Sequence, residues 1–282
     1  MIFPPKKLLQ IVVLVAFCVW LAILWLARHQ PYLGLAFKSG GVNQLEVVHS
    51  QLPNFKPGDR LVGLVKKQGQ LLTFNQFSNL VDPDTLPSYQ DYNRFFNYQR
   101  QLYQSYLEGP LIFKLDKGTT RQVTPKLIKP VSALPWRFWV LNLIGTLALL
   151  IGAWLWSYRP AHSGTGFFFL SGIGFYLNTA SSSVYAYREL LIEPNTFWVL
   201  SGLNQFSYLS FGYFMVAVFM VYPVRLVKSG TLYLLLAWYL LLWINQVMQW
   251  IQWPLHTYSI HLIIPMLLGI VMAYRQCFCT KL

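Results

Sequence analysis

The chain has 282 residues, of which 55% are hydrophobic, 17% aromatic and only 11% charged. A soluble domain carries about a quarter charged residues, so this composition excludes an ordinary soluble enzyme, and the wealth of aromatics excludes disorder. Net charge is +13, from 22 basic and 9 acidic residues, but the basic residues are spread along the chain rather than gathered in a patch or arm, which argues against a nucleic-acid partner.

What remains is an α-helical integral membrane protein with a soluble portion. Stretches of about 20 apolar residues mark membrane helices. Six are predicted, at about 8–27, 138–158, 166–187, 197–222, 232–251 and 258–274. The first is longer than a signal-peptide core, and Trp25-Leu26-Ala27 is a poor cleavage site, so it reads as an uncleaved anchor. Pro265 lies inside the last, where a helical bundle tolerates it. Lys6 and Lys7 precede the first span, Arg159 follows the second, Arg225 and Lys228 the fourth, and Arg275 and Lys281 the sixth. All of these fall on one side, which the positive-inside rule makes the cytoplasm. Both termini are expected there, in a bacterial inner membrane. The expected organisation is a cytoplasmic N-terminus and first span over 1–28, an extracytoplasmic domain over 29–136, a five-helix membrane block over 137–274 and a short cytoplasmic tail over 275–282.

The outer segment holds 12 basic and 7 acidic residues, a soluble mixture, and no cysteine. It reads as β-rich α+β. Leu33-Gly34-Leu35-Ala36-Phe37 is a glycine-punctuated strand entry, and 45–48 is a short strand. The turn Pro57-Gly58-Asp59 leads into a strand over 60–65. Ser88 and Asp91 resemble a capping box opening a helix over 89–108, on which Tyr92, Phe95, Phe96, Gln99, Leu102, Tyr103 and Tyr106 form one stripe. Strands follow at 111–115 and about 122–128, the latter an edge strand because of Pro125.

With these residues in view, the segment over about 32–128 resembles a PDZ domain. Leu33 to Phe37 is similar to the carboxylate-binding loop and the strand after it. Phe55-Lys56-Pro57-Gly58-Asp59-Arg60-Leu61-Val62 is similar to the turn that many bacterial PDZ domains carry. The stretch 65–87 is longer than usual and leaves open which element lines the groove. The resemblance implies that Leu33, Gly34, Leu35, Ala36 and Phe37 receive a peptide or a protein C-terminus as an added strand. The alternative is a groove filled by the protein's own linker or a partner domain. A PDZ-like outer domain ahead of a membrane block also resembles the input region of ComP-like sensor histidine kinases. No room is left for kinase domains, so the expectation is a non-catalytic signal-receiving module. Its partners would be lipid, a peptide at the outer domain, and a separate kinase or a second copy. A membrane scaffold or protease adaptor is the alternative.

Polar side chains in the spans cluster toward the outer side: Asn178 in the third, Asn204 and Gln205 in the fourth, Asn245 and Gln249 in the fifth, and His261 in the sixth. Asn245, Gln249 and Gln252 have the spacing of one helix face. Two readings fit: an outward-opening polar pocket, or interhelical hydrogen bonding without a ligand. Chemistry is sparse elsewhere. None of the histidines at 29, 49, 162, 256 and 261 forms a zinc-protease motif, Ser171 lacks an acidic partner, and Gly172 and Gly174 suit helix packing better than a phosphate loop. No catalytic residue, metal or cofactor is expected.

Overall fold

Proline starts three of the long helices. In the computed structural model, which describes residues 4–41, 43–67, 69–252 and 257–279, α1 (Pro5–Arg28) and α5 (Pro194–Val221) carry proline in their first turn, and α3 (Trp136–Tyr158) follows Pro135. The first helical positions lack an intrahelical partner for their N–H, so proline costs nothing there. Between α1 and α3 come β1 (Leu35–Gly41), β2 (Gln44–Ser50), β3 (Arg60–Val65), β4 (Leu71–Thr73), α2 (Tyr89–Leu107), β5 (Leu111–Leu115) and β6 (Thr120–Val123). After α3 come α4 (Ser163–Tyr185), α5, α6 (Ser229–Met248) and α7 (Thr257–Cys279). Among the described residues α1, α3, α5 and α6 are long and apolar enough to cross a membrane. This is a membrane protein with a separate antiparallel sheet domain.

The sheet runs β1-β2-β3-β5-β6, with β4 paired to β3, and every pairing is antiparallel. β1 and β6 are its edges; the strand expected over 122–128 lies instead over Thr120–Val123, ending before Pro125, whose missing N–H cannot join the ladder. Alternate residues of β5, Leu111, Phe113 and Leu115, are buried, and Phe113 sits at the centre of Phe37, Phe55 and Phe74. Ser88 caps α2 in both directions: its Oγ accepts from the Asp91 amide at 3.1 Å and donates to the Asp91 carboxylate at 2.7 Å.

The turn Pro57-Gly58-Asp59 is an anchor within the sheet. Gly58, at φ 90°, donates its N–H to the Val47 carbonyl at 2.8 Å, and the Asp59 carboxylate accepts from the Lys56 amide and the Arg121 guanidinium. Burial alone would raise the Asp59 carboxyl, but the Lys56 amide and Arg121 outweigh it and hold its pKa below the usual range.

The helices α3, α4 and α5 pack closely, and small residues make that approach feasible. A Cβ on Gly172 would lie 2.8 Å from the Ala148 carbonyl oxygen, and one on Gly174 would lie 2.9 Å from the Phe211 nitrogen. Tyr176 ties α4 to α1 by donating to the Ala16 carbonyl at 2.9 Å. Two helix ends differ from the sequence expectation. α6 stops at Met248 because Gln249 turns left-handed, at φ 55°, and the Asn245 side chain caps the reversed chain by accepting from Ile251 N at 2.8 Å. Asn245, Gln249 and Gln252 therefore do not share a helix face. α7 runs past the expected tail boundary at 275, and Gln276 is buried against Val224 in the α5–α6 connection.

Candidate functional site

Only two of the nine acidic residues lie outside 29–136, and both stand in the eight-residue link between α4 and α5. Glu193 caps α5, accepting from Asn195 N at 3.0 Å and Thr196 N at 2.5 Å. Glu189 reaches across to the sheet domain. One oxygen of its carboxylate accepts from Leu33 N at 2.6 Å and from Gly34 N at 3.1 Å. Gly34 stands at φ 74°, the left-handed conformation that glycine adopts without strain and that helps turn two successive amides toward one acceptor.

The same link holds the domain by a second residue. Arg188 donates to the carbonyls of Leu80 and Val81 in the sheet domain and back to Tyr185 at 2.8 Å. Its guanidinium lies over the rings of Phe197, at 4.5 Å, and Phe95, at 5.9 Å. Lys129 is buried beside them and donates to the Tyr187 carbonyl at 3.3 Å. Desolvation raises the Glu189 carboxyl above its ordinary range, against the opposing pull of Lys129 and the amides, and lowers the Lys129 ammonium.

Two clefts, of about 410 and 570 Å3, lie between β1 and the turn-rich segment 75–81. Gly34, Leu35, Ala36 and Phe37 line the first with Glu189 and Arg188, while Ser39 and Gly41 line the second; Asn79 belongs to both. β1 is an edge strand, pairing with β2 alone among the described residues, so the clefts adjoin an open strand edge. The wall opposite β1 is 75–81, which the sequence could not assign, and α2 turns instead to the membrane block. Leu33 and Leu35 are core residues, Ala36 is exposed, and Phe37 packs on Phe113, so the five predicted groove residues divide between core and cleft.

The sheet domain packs against several of the polar side chains expected at the outer level of the spans. Gln205 donates to Asp84 at 2.6 Å, Tyr89 donates to Gln246 at 2.6 Å, and Ser201 and Tyr92 share a hydrogen bond of 3.2 Å. Gln249 and Asn93 exchange two side-chain bonds, at 2.8 and 3.1 Å. Asn245 also donates to the Tyr89 hydroxyl, at 3.4 Å. Asn178 and Asn204 instead join α4 to α5, each donating to the other's carbonyl, at 3.4 and 3.1 Å. The physical reason is exchange: amides that would be costly in hydrocarbon find partners on α2 and the one-turn helix at 83–85. His256 lies outside the described residues, and His261 stands in α7 with its side chain outside the described set.

Phe95 and Phe96 pack against Phe197, at 5.5 and 5.2 Å, and join the sheet core to the membrane block without a break. Beside them Asp82 and Asp84 are crowded against Arg188 and Tyr92. Desolvation, then the neighbouring Asp82, pushes the Asp84 carboxyl up to about 8, while Gln205 opposes the shift. The class so defined is a helical membrane protein with a sheet domain latched onto its bundle. No family model, curated protein or solved structure matches the chain.

Proposed function

We propose that the chain is a non-catalytic, signal-receiving membrane module whose PDZ-like outer domain takes an extended peptide or protein C-terminus at the edge of β1. One observation carries this reading. The loop at Leu33-Gly34 already holds a carboxylate, that of Glu189, on two convergent amides. A ligand carboxylate arriving there must displace Glu189 and so release the α4–α5 link. That is how occupancy outside would reach the membrane helices. The sensor-kinase-like arrangement agrees with this route: six spans, both ends in the cytoplasm of a bacterial inner membrane, and a separate kinase or a second copy as the output partner. The basic flanks at Lys6, Lys7, Arg159, Arg225 and Lys228 support that orientation.

The test uses the full chain in nanodiscs and a library of peptides with free or amidated C-termini. Glu189→Ala should bind free-acid peptides at least about 10-fold more tightly than the unsubstituted protein, because the competing carboxylate is gone. Amidation should remove the gain. Peptides that bind neither protein, or bind both equally, refute the reading. Peptide binding that leaves amide exchange in the α4–α5 link unchanged makes the chain a scaffold.

A further inference from the structure

The segment that leads from the sheet domain into α3 is pinned to the end of a membrane helix. Lys129 donates its N–H to the carbonyl of Arg28, the last residue of α1, at 2.7 Å, and the Arg28 guanidinium donates back to the Lys129 carbonyl at 3.3 Å. Just before it, Lys126 and Tyr32 exchange backbone bonds at 2.8 and 2.9 Å, and just after it α3 begins at Trp136. Both helices are membrane-length: their 24 and 23 residues rise about 35 Å, against about 30 Å of hydrocarbon. The segment 126–136 is therefore held at the rim of the hydrocarbon, at the depth of the lipid headgroups.

Its surface suits that depth and not open water. Leu127 is 73% exposed, Ile128 50%, Val131 43% and Trp136 68%. Among the described residues of 29–136, eight large apolar side chains are exposed, and these four fall within ten positions. Lys126 and Arg137 bracket the run and are exposed, and Arg28 is half-buried beside it. The Arg137 guanidinium lies over the Trp136 ring at 5.9 Å, which keeps the charge alongside the apolar side chains. Among the described residues none of these three cations has a carboxylate within ion-pair distance. Lys129, by contrast, is turned inward to the Tyr187 carbonyl. Arg28 and Arg137 also stand at the opposite ends of their helices from Lys6, Lys7 and Arg159, so the rule that gathers basic residues on the cytoplasmic side does not account for them.

We propose that 126–137 is a membrane-surface foot that binds anionic phospholipid. Leu127, Ile128, Val131 and Trp136 enter the bilayer interface, and Arg28, Lys126 and Arg137 meet the headgroup phosphates. A zwitterionic lipid brings its own ammonium to its phosphate, so cations without a protein partner favour a headgroup of net negative charge. The depth decides against a protein partner, because lipid already surrounds both helix ends there. This site goes beyond the peptide reading and does not depend on it.

The test uses the full chain in nanodiscs of phosphatidylcholine, with and without phosphatidylglycerol. Leu127→Cys, in a chain whose cysteines at 18, 277 and 279 are replaced by serine, carries a bimane label. Its emission should be blue-shifted and quenched by lipid bearing a nitroxide near the headgroup. Native mass spectrometry should show phosphatidylglycerol retained over phosphatidylcholine. Lys126→Gln and Arg137→Gln should each lower that preference about 5-fold, the contribution of one basic residue at an anionic surface. Among the described residues neither side chain makes a hydrogen bond or an ion pair, so both variants should unfold at the unsubstituted midpoint in phosphatidylcholine. A label that emits as in water and escapes the quencher refutes the foot. Equal retention of the two lipids, or a preference that survives both substitutions, refutes the headgroup site. Emission that shifts only with two chains in one disc assigns the face to a second copy and overturns the proposal as well.

Discussion

Glu189→Ala removes the acceptor shared by the Leu33 and Gly34 amides. A hydrogen bond to a charged group contributes about 1.5–3 kcal/mol, and a buried N–H left without a partner costs about 1–3 kcal/mol. Those gains are offset by the desolvation of Glu189 itself, which is strong enough to raise its carboxyl pKa in spite of Lys129 and the amides. A net loss of about 2–3 kcal/mol follows, so local opening of the latch becomes about 30- to 150-fold more frequent. Glu189→Gln keeps one neutral acceptor and should fall between, with bonds of about 0.5–1.5 kcal/mol.

Amide hydrogen exchange, resolved to the peptide spanning 33–34, reads this opening directly, because the two protons that exchange are the two that Glu189 holds. Exchange there should accelerate strongly in Glu189→Ala and moderately in Glu189→Gln. Exchange in β3 and β5, deep in the sheet, should not move. Unchanged protection at 33–34 in a folded Glu189→Ala protein refutes the claim that the carboxylate holds the loop.

Docking should also depend on pH. The Asp84 carboxyl is raised to about 8 when docked, and it returns to about 4 once exposed; the interface is therefore fully favoured below about pH 4 and weakens as pH rises through 8. Limited proteolysis of the 75–88 segment should be faster at pH 9 than at pH 6, and Asp84→Asn should abolish the difference. A second expectation concerns Gln99, 1% exposed on α2 with neither side-chain amide atom bonded. Gln99→Met should stabilise the protein by about 1–3 kcal/mol, read as a higher midpoint of thermal unfolding.

Local chemistry was legible in the sequence where short-range rules decide. Pro57-Gly58-Asp59 announces β3, Ser88 and Asp91 announce α2, and long apolar runs announce the helices. β4 was not legible, because three residues over 71–73 carry no alternation to read. The end of α6 misled for a physical reason: Asn245, Gln249 and Gln252 keep helical spacing past Met248, while the left-handed turn falls on a glutamine and not on the glycine that usually signals it. The latch was hidden by distance, since Glu189 and Leu33 lie 156 residues apart. One signal did point to it. A membrane block with only two carboxylates, both on one short link, has put them where a specific partner is present.

The interface divides its labour between two kinds of force, and the division bears on how it would move. The edge-to-face contact of Phe95 and the tilted contact of Phe96 on Phe197 bury apolar surface, a geometric preference weaker than that of a charged hydrogen bond. Glu189, Arg188, Gln205 and Gln246 are directional and hold one orientation. Breaking the Glu189 contact alone therefore leaves the domain adhered and still oriented by Arg188, Gln205 and Gln246, with one directional constraint fewer. On the proposed reading, a ligand that takes the Leu33 and Gly34 amides would bias the domain's orientation by its difference in affinity between two orientations. Such a shift would act on the α4–α5 link, and α4 and α5 pack closely, with Gly174 against the backbone of Ser207 and Phe211. A small displacement at one end of such a pair is carried to the other, because a close-packed seam shifts as a unit.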